Sequence, residues 1–176
     1  MQHLRSALLI ALIGAAACGC EEGSGKGANS ADAKDHPLLG AQAPEFELPS
    51  QGGDGAVSLG ANSGKIVIVD FWATWCEPCR ESFPAYERMM KQRGDLVVLG
   101  VSVDEEPDGI PRFIADTHVH FPIGWDRDQH VSKLYKPPAM PTSYVIDDNG
   151  IVRHVHAGYH EGDDAIIAKQ VSALAE

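Results

Sequence analysis

The sequence predicts an α/β domain, and three observations carry that assignment. Two near-continuous β-branched apolar runs, residues 65–71 and 96–103, read as strands covered on both faces. Segments of helical period lie between and after them. Late in the chain, two more strand-like segments flank Asp147-Asp148-Asn149-Gly150, a turn sequence that calls for an antiparallel hairpin.

The elements follow in order. Residues 43–48 alternate as a short strand and lead into a Gly-rich turn. After the 65–71 strand, residues 77–93 carry Phe83, Tyr86, Met89 and Met90 at helical spacing, and Gly94 closes that helix. A second helix over 109–117 follows the strand at 96–103 and is entered through Pro107. A short third helix over 128–135 stops at Pro137-Pro138. The hairpin pairs 142–146 with 151–156. A last helix spans 163–175, with Ile167, Val171 and Leu174 on one stripe and an acidic start that suits the helix dipole. No repeat of 20–50 residues and no heptad pattern competes with this reading.

At 176 residues the chain holds one such domain plus tails. Its net charge of −11 argues against nucleic acid, which needs clustered Lys and Arg, and against electrostatic docking on anionic lipid. The N-terminus offers another route to a membrane. Residues 1–17 read as a secretory signal: a charged start, then an apolar run too short for the roughly 20 residues that span a bilayer. Ala15-Ala16-Ala17-Cys18 resembles a bacterial lipobox, which makes Cys18 the lipidated residue ahead of Cys20. Ala15 stands where that pattern prefers Leu, so a soluble secreted or periplasmic form is the alternative. Residues 18–37 are rich in Gly, Ser, Ala, Asn, Asp and Lys and read as a flexible tether. The folded domain is expected over 38–176.

The chemistry centres on Cys76-Glu77-Pro78-Cys79, placed directly after a buried-type strand and opening a helix. An i, i+3 pair on a first helical turn brings two sulfurs close enough to bridge. The helix N-terminus offers unpaired N–H groups and partial positive charge, which favour the thiolate of Cys76. Cys79, inside the turn, resolves the mixed disulfide. Pro78 fits because the opening turn tolerates a missing N–H. A zinc site would want four ligands, and no second Cys pair accompanies this one. His118/His120 and His154/His156 read as surface histidines rather than ligands, so no metal and no cofactor beyond the Cys76–Cys79 disulfide is expected.

The segment Val69-Asp-Phe-Trp-Ala-Thr-Trp-Cys-Glu-Pro-Cys-Arg80 resembles the active-site stretch of the thioredoxin superfamily, most of all its TlpA/ResA-like membrane-tethered reductases. Gly40-Ala-Gln-Ala-Pro-Glu-Phe-Glu-Leu48 and Met140-Pro141-Thr142 match that group as well. The resemblance implies a thioredoxin-like fold: a central mixed β-sheet flanked by helices, an N-terminal strand extension, and an insertion before the final hairpin. It implies a cis bond before Pro141, with Met140 presenting backbone to an extended substrate, a helix kink at Pro84, and Trp75 beside the first cysteine. Unaided, Trp75 would read as a core residue and Pro141 as a strand-entry proline. Asp70 matches the buried acid of thioredoxin proper, where most tethered relatives carry Asn. Desolvation should raise its pKa and let it take the proton of Cys79. The Glu that ResA-like members place two residues before the helix proline is missing: Ser82 stands there, and Glu81 lies about 100° around the helix.

Glu77 adds negative charge beside Cys76 and opposes the helix dipole, which favours a reductant over an oxidant. An extracytoplasmic reductant needs electrons across the membrane, so a membrane-embedded thiol carrier is the expected donor. By resemblance, the acceptors are disulfide-bearing envelope proteins, including apocytochrome c during cytochrome c maturation. A thiol peroxidase of the related redoxin group and a non-catalytic copper carrier are the alternatives.

Overall fold

The computed structural model describes residues 33–53 and 55–175. The signal segment, Cys18 and Cys20 lie outside the described residues. Among the described residues seven strands and four α-helices run in the order β1 (Glu47–Pro49), β2 (Ala56–Ser58), β3 (Ile66–Trp72), α1 (Glu77–Gln92), β4 (Leu96–Ser102), α2 (Ile110–Thr117), β5 (Ile123–Trp125), α3 (His130–Tyr135), β6 (Thr142–Ile146), β7 (Val152–Ala157) and α4 (Asp163–Ala173).

The central sheet has the order β5-β4-β3-β6-β7. β3, β4 and β5 are parallel, while β6 and β7 run antiparallel to their neighbours. Every residue of β3 is buried, as its unbroken apolar run requires of a strand covered on both sides. Strand alternation sorts them: Ile66, Ile68 and Trp72 join a core with α1, α2 and α4, while Val67, Val69 and Phe71 join a second core with α3 and the β1–β2 hairpin. The fold class is therefore as expected, with the mixed sheet between two helical layers. Among the described residues no helix is long and apolar enough to cross a membrane.

Several elements differ from the sequence reading. The N-terminal strand lies over Glu47–Pro49 and pairs with β2 in a separate two-stranded sheet. The residues before it are held elsewhere: Gln42 bridges Ile151, and Ala43 N–H donates to Gly150 O at 2.9 Å. β5 was not anticipated, because three residues around Gly124 are too short for a periodic signal. That glycine is required, since a Cβ there would stand 2.8 Å from Cβ of Leu48. α1 ends without help from Gly94: Arg93 turns extended and its N–H reaches Met90 O. α3 starts at His130, after Asp126, whose carboxylate accepts from Val131 and Ser132 N–H. It ends on Lys136 at φ 55°, one residue before the prolines.

Part of the segment read as tether is also docked. Ala33 N–H donates to Val155 O at 2.7 Å, and the His36 ring meets Tyr144 edge-on at 5.3 Å. The packed chain thus starts before the boundary at residue 38, because single contacts of this kind leave no compositional trace.

Candidate active site

β3 delivers the chain into a loop, and Cys76 is the N-cap of α1 at φ −85°, ψ 102°, its N–H donated to Ala73 O. Glu77 and Pro78 occupy the first turn, where a proline sacrifices no intrahelical bond. Cys76 and Cys79 are joined as a disulfide with Cα atoms 5.4 Å apart. Cys79 is fully buried in the core beneath the helix, and Cys76 is only 3% exposed. Trp75 is 70% exposed, so the unaided reading of it as a core residue is wrong. The turn that caps α1 throws its side chain outward, over the mouth of the site.

A clamp sets the loop. The buried carboxylate of Asp104, just past β4, accepts from Thr74 N–H at 3.0 and 3.1 Å, from Thr74 Oγ1 at 2.7 Å and from Ser102 Oγ at 2.8 Å. Its backbone oxygen accepts from Trp125 Nε1 at 2.8 Å. Gly109 lies against Thr74 so closely that an added Cβ would stand 3.1 Å from Thr74 Cγ2. Sequence reading missed Asp104. The available signal was a charged residue directly after a buried strand.

Asp70 lies inside β3, between Ile68 and Trp72 on the face covered by α1, and is fully buried. Its cross-strand neighbours are Gly100 and Ser143. Ser143 Oγ donates to Oδ1 at 2.6 Å, and the Tyr86 hydroxyl shares a 2.6 Å bond with Ser143 Oγ. Among the described residues Oδ2 has no hydrogen-bond partner. Burial pushes the Asp70 carboxyl up to about 7, with the Ser143 bond pulling the other way. Tyr86 is raised well above the usual phenol range, first by burial and then by the charge of Asp70.

The Met140–Pro141 peptide is cis, as the resemblance implied. Met140 and Trp75 line one groove of about 790 Å³, whose lining also includes Glu105, Glu106, Lys133 and Lys136. Pro84 stands inside α1. The Glu77 side chain is 84% exposed and lies 3.7 Å from Arg80 Nε, so solvent and a cation both weaken its hold on the thiolate. Arg80 itself covers the Phe113 ring at 4.6 Å. Glu81 is exposed, while Ser82 is buried and donates to Cys79 O at 3.3 Å. Cys76, Cys79 and Met140 thus meet in one core, Trp75 and Met140 share a groove, and Asp70 is buried in the strand that leads into the pair.

The histidines do structural work. His120 donates its N–H to Glu87 at 2.9 Å, and its ring lies 3.1 Å from the same carboxylate. His118 is the left-handed cap of α2. His156 is buried rather than on the surface, its Nε2 2.7 Å from Gln170 Oε1.

Residues 39–155 match the model of the AhpC/TSA family. Thioredoxin-like protein YneN of Bacillus subtilis is 36% identical over 123 residues, which is 68% of this chain and 71% of YneN. Thiol-disulfide oxidoreductase ResA of the same organism is 32% identical over 121 residues, 68% of this chain and 67% of ResA. Among solved structures, a Chlorobium tepidum protein described as a thiol:disulfide interchange protein DsbE superposes with TM-score 0.74 at 34% identity, covering 78% of this chain and 98% of that one. One from Bacteroides thetaiotaomicron, described as a protein disulfide isomerase, gives 0.70 at 27% identity over 78% and 91%. The chain belongs to the AhpC/TSA family and is a thiol–disulfide oxidoreductase of ResA type with a thioredoxin-like fold.

Proposed function

We propose that this oxidoreductase reduces disulfides of other proteins outside the cytoplasm, held to a membrane by a lipid on Cys18 and recharged by a membrane-embedded thiol carrier. The Cys76 thiolate attacks one sulfur of the substrate disulfide, and the other leaves as thiolate. Cys79 then gives its proton to Asp70 and attacks Sγ of Cys76, releasing the second substrate thiolate. Two electrons pass to the substrate, and the Cys76–Cys79 disulfide forms. The exposed Trp75 and the groove it shares with Met140 are where the substrate chain lies, with Pro141 setting the turn beside it. By family resemblance, the acceptors include the haem-attachment cysteines of apocytochrome c.

The observation that carries this reading is Asp70. The resolving thiol is wholly enclosed, so it needs an internal acceptor, and a carboxyl titrating at about 7 is matched to that transfer at neutral pH. Glu77 in the first turn supports the reductive direction, with its weight reduced by exposure and by Arg80.

The test is a Cys79→Ser chain expressed in its own cell. The mixed disulfide at Cys76 should accumulate with envelope proteins. Absence of any linked partner, together with no activity in a disulfide-reduction assay, would overturn the reading. A measured potential near the thioredoxin value of about −270 mV supports the direction, and one near about −120 mV reverses it. Peroxide turnover without disulfide reduction would make the protein a thiol peroxidase, and stoichiometric copper retention would make it a carrier.

A further inference from the structure

We propose that Ser143 and Tyr86 are positioning residues for the proton acceptor: they hold Oδ1 of Asp70 in place and leave Oδ2 as the one oxygen that exchanges a proton with Cys79. The inference rests on Asp70 acting as the base in the reading above.

The geometry is a chain of three buried groups. Ser143 Oγ is 2.6 Å from Asp70 Oδ1 and 2.6 Å from the Tyr86 hydroxyl, and all three residues are at most 1% exposed. A serine hydroxyl carries a single proton. With that proton donated to Asp70, the Tyr86 hydroxyl is the donor to Ser143. The order of donation is therefore Tyr86 to Ser143 to Oδ1, which fixes the carboxyl plane. Tyr86 sits about two helical turns beyond Cys79 on α1 and joins the same core. The element that carries the resolving thiol is thus tied through β6 to the acid on β3.

This arrangement works in both charge states. With Asp70 ionised, Ser143 donates to a carboxylate oxygen; with the proton on Oδ2, Ser143 donates to what is then the carbonyl oxygen. No hydroxyl has to turn as the proton arrives, so the transfer carries little reorganisation. Oδ2 is the unpartnered atom, and an unpaired buried oxygen is costly unless the site uses it.

The groups facing the acid are few. α1 supplies Tyr86, which feels the charge of Asp70, β6 supplies Ser143, and β4 supplies Gly100, which has no side chain; Cys79 lies in the core on the same side of the sheet. On β7, His156 is the cross-strand neighbour of Ser143. From the α4 side, Asp163 and Tyr159 act on Tyr86 and raise it further. Among the described residues no Lys or Arg pairs with Asp70, so the hydroxyl chain does what a cation would otherwise do: it favours the ionised form against burial.

The experiment follows the Asp70 carboxyl by carbon-13 NMR through a pH titration of the full-length oxidised protein, with Asp70→Asn identifying the signal. Ser143→Ala should move the midpoint up by about one pH unit or more, since a hydrogen bond to a charged group is lost. Tyr86→Phe should move it in the same direction by less, and Ser143→Thr should restore it. The pH profile of mixed-disulfide resolution should shift in step. An unmoved midpoint in folded Ser143→Ala overturns the inference; if that variant does not fold, an unmoved midpoint in Tyr86→Phe does so. Wild-type resolution by Asp70→Asn at every pH overturns the base reading instead, whatever the carboxyl titration shows.

Discussion

Asp70 and Asp104 are both buried, and both stand where a parallel strand of the central sheet approaches the cysteine pair. Asp104 has both oxygens engaged, by Thr74 and Ser102, and acts as a hub for the loop that carries Trp75. Asp70 has one oxygen engaged and one without a partner among the described residues, and burial carries it to about 7. The same side chain is thus a clamp where the backbone and hydroxyls around it engage both oxygens, and a site for a proton where they engage only one. Both are buried, so the number of hydrogen-bond partners separates the two roles.

Substitutions at the two positions should move stability in opposite directions. Asp104→Ala leaves the Thr74 N–H, the Thr74 hydroxyl and the Ser102 hydroxyl without their acceptor. It should cost roughly 2–4 kcal/mol in urea unfolding at pH 8, with a fall in kcat/KM as the loop loosens. Asp70→Asn should instead stabilise the fold at pH 8, by about 1–3 kcal/mol, while slowing resolution of the mixed disulfide. Equal losses at both sites would erase the contrast.

The pH dependence sharpens the same point. A raised carboxyl pKa means that the native state binds the proton more tightly than the unfolded chain. Wild-type stability from this group therefore falls as pH rises from about 4 to about 7 and is level above that. In Asp70→Asn that slope should vanish, so the two unfolding curves converge at low pH. A gap that stays constant across the range would mean that Asp70 is ionised throughout.

Two milder changes probe the clamp alone. Thr74→Val keeps the β-branched shape and removes only the 2.7 Å hydroxyl bond; about 1 kcal/mol should be lost, again by urea unfolding. Gly109→Ala presses a methyl group to 3.1 Å from Thr74 Cγ2 and should cost about 0.5–1 kcal/mol, read as a small drop in melting temperature. Neither should move the titration of Asp70. A shift there would mean that the two aspartates are coupled.

Much of the fold was legible because its signals are local. The run over 65–71 announces a doubly covered strand, found at Ile66–Trp72, and β6 begins and ends where the sequence places it. The Cys-x-x-Cys at a helix start names its own chemistry. β5 was illegible because three residues carry no period, and Gly124 makes sense only once Leu48 lies above it. Trp75 misled because an aromatic between strand and helix reads as core, whereas the N-cap geometry of Cys76 turns it out to solvent. Glu77 carries less electrostatic weight than its place beside Cys76 suggests, because it is exposed and paired with Arg80.

By itself, then, the sequence determined β3, β4, the β6–β7 hairpin, the longer helices and the cysteine pair, because each rests on spacing or on side-chain type, while the resemblance pointed to the candidate acid. Tertiary structure alone decided how that acid behaves. Ser143 lies far along the chain from Asp70 and meets it only when β6 pairs antiparallel with β3, and Tyr86 joins them only when α1 packs across both. A pKa is set by desolvation and by partners in space, and neither is written in the residues on either side of Asp70.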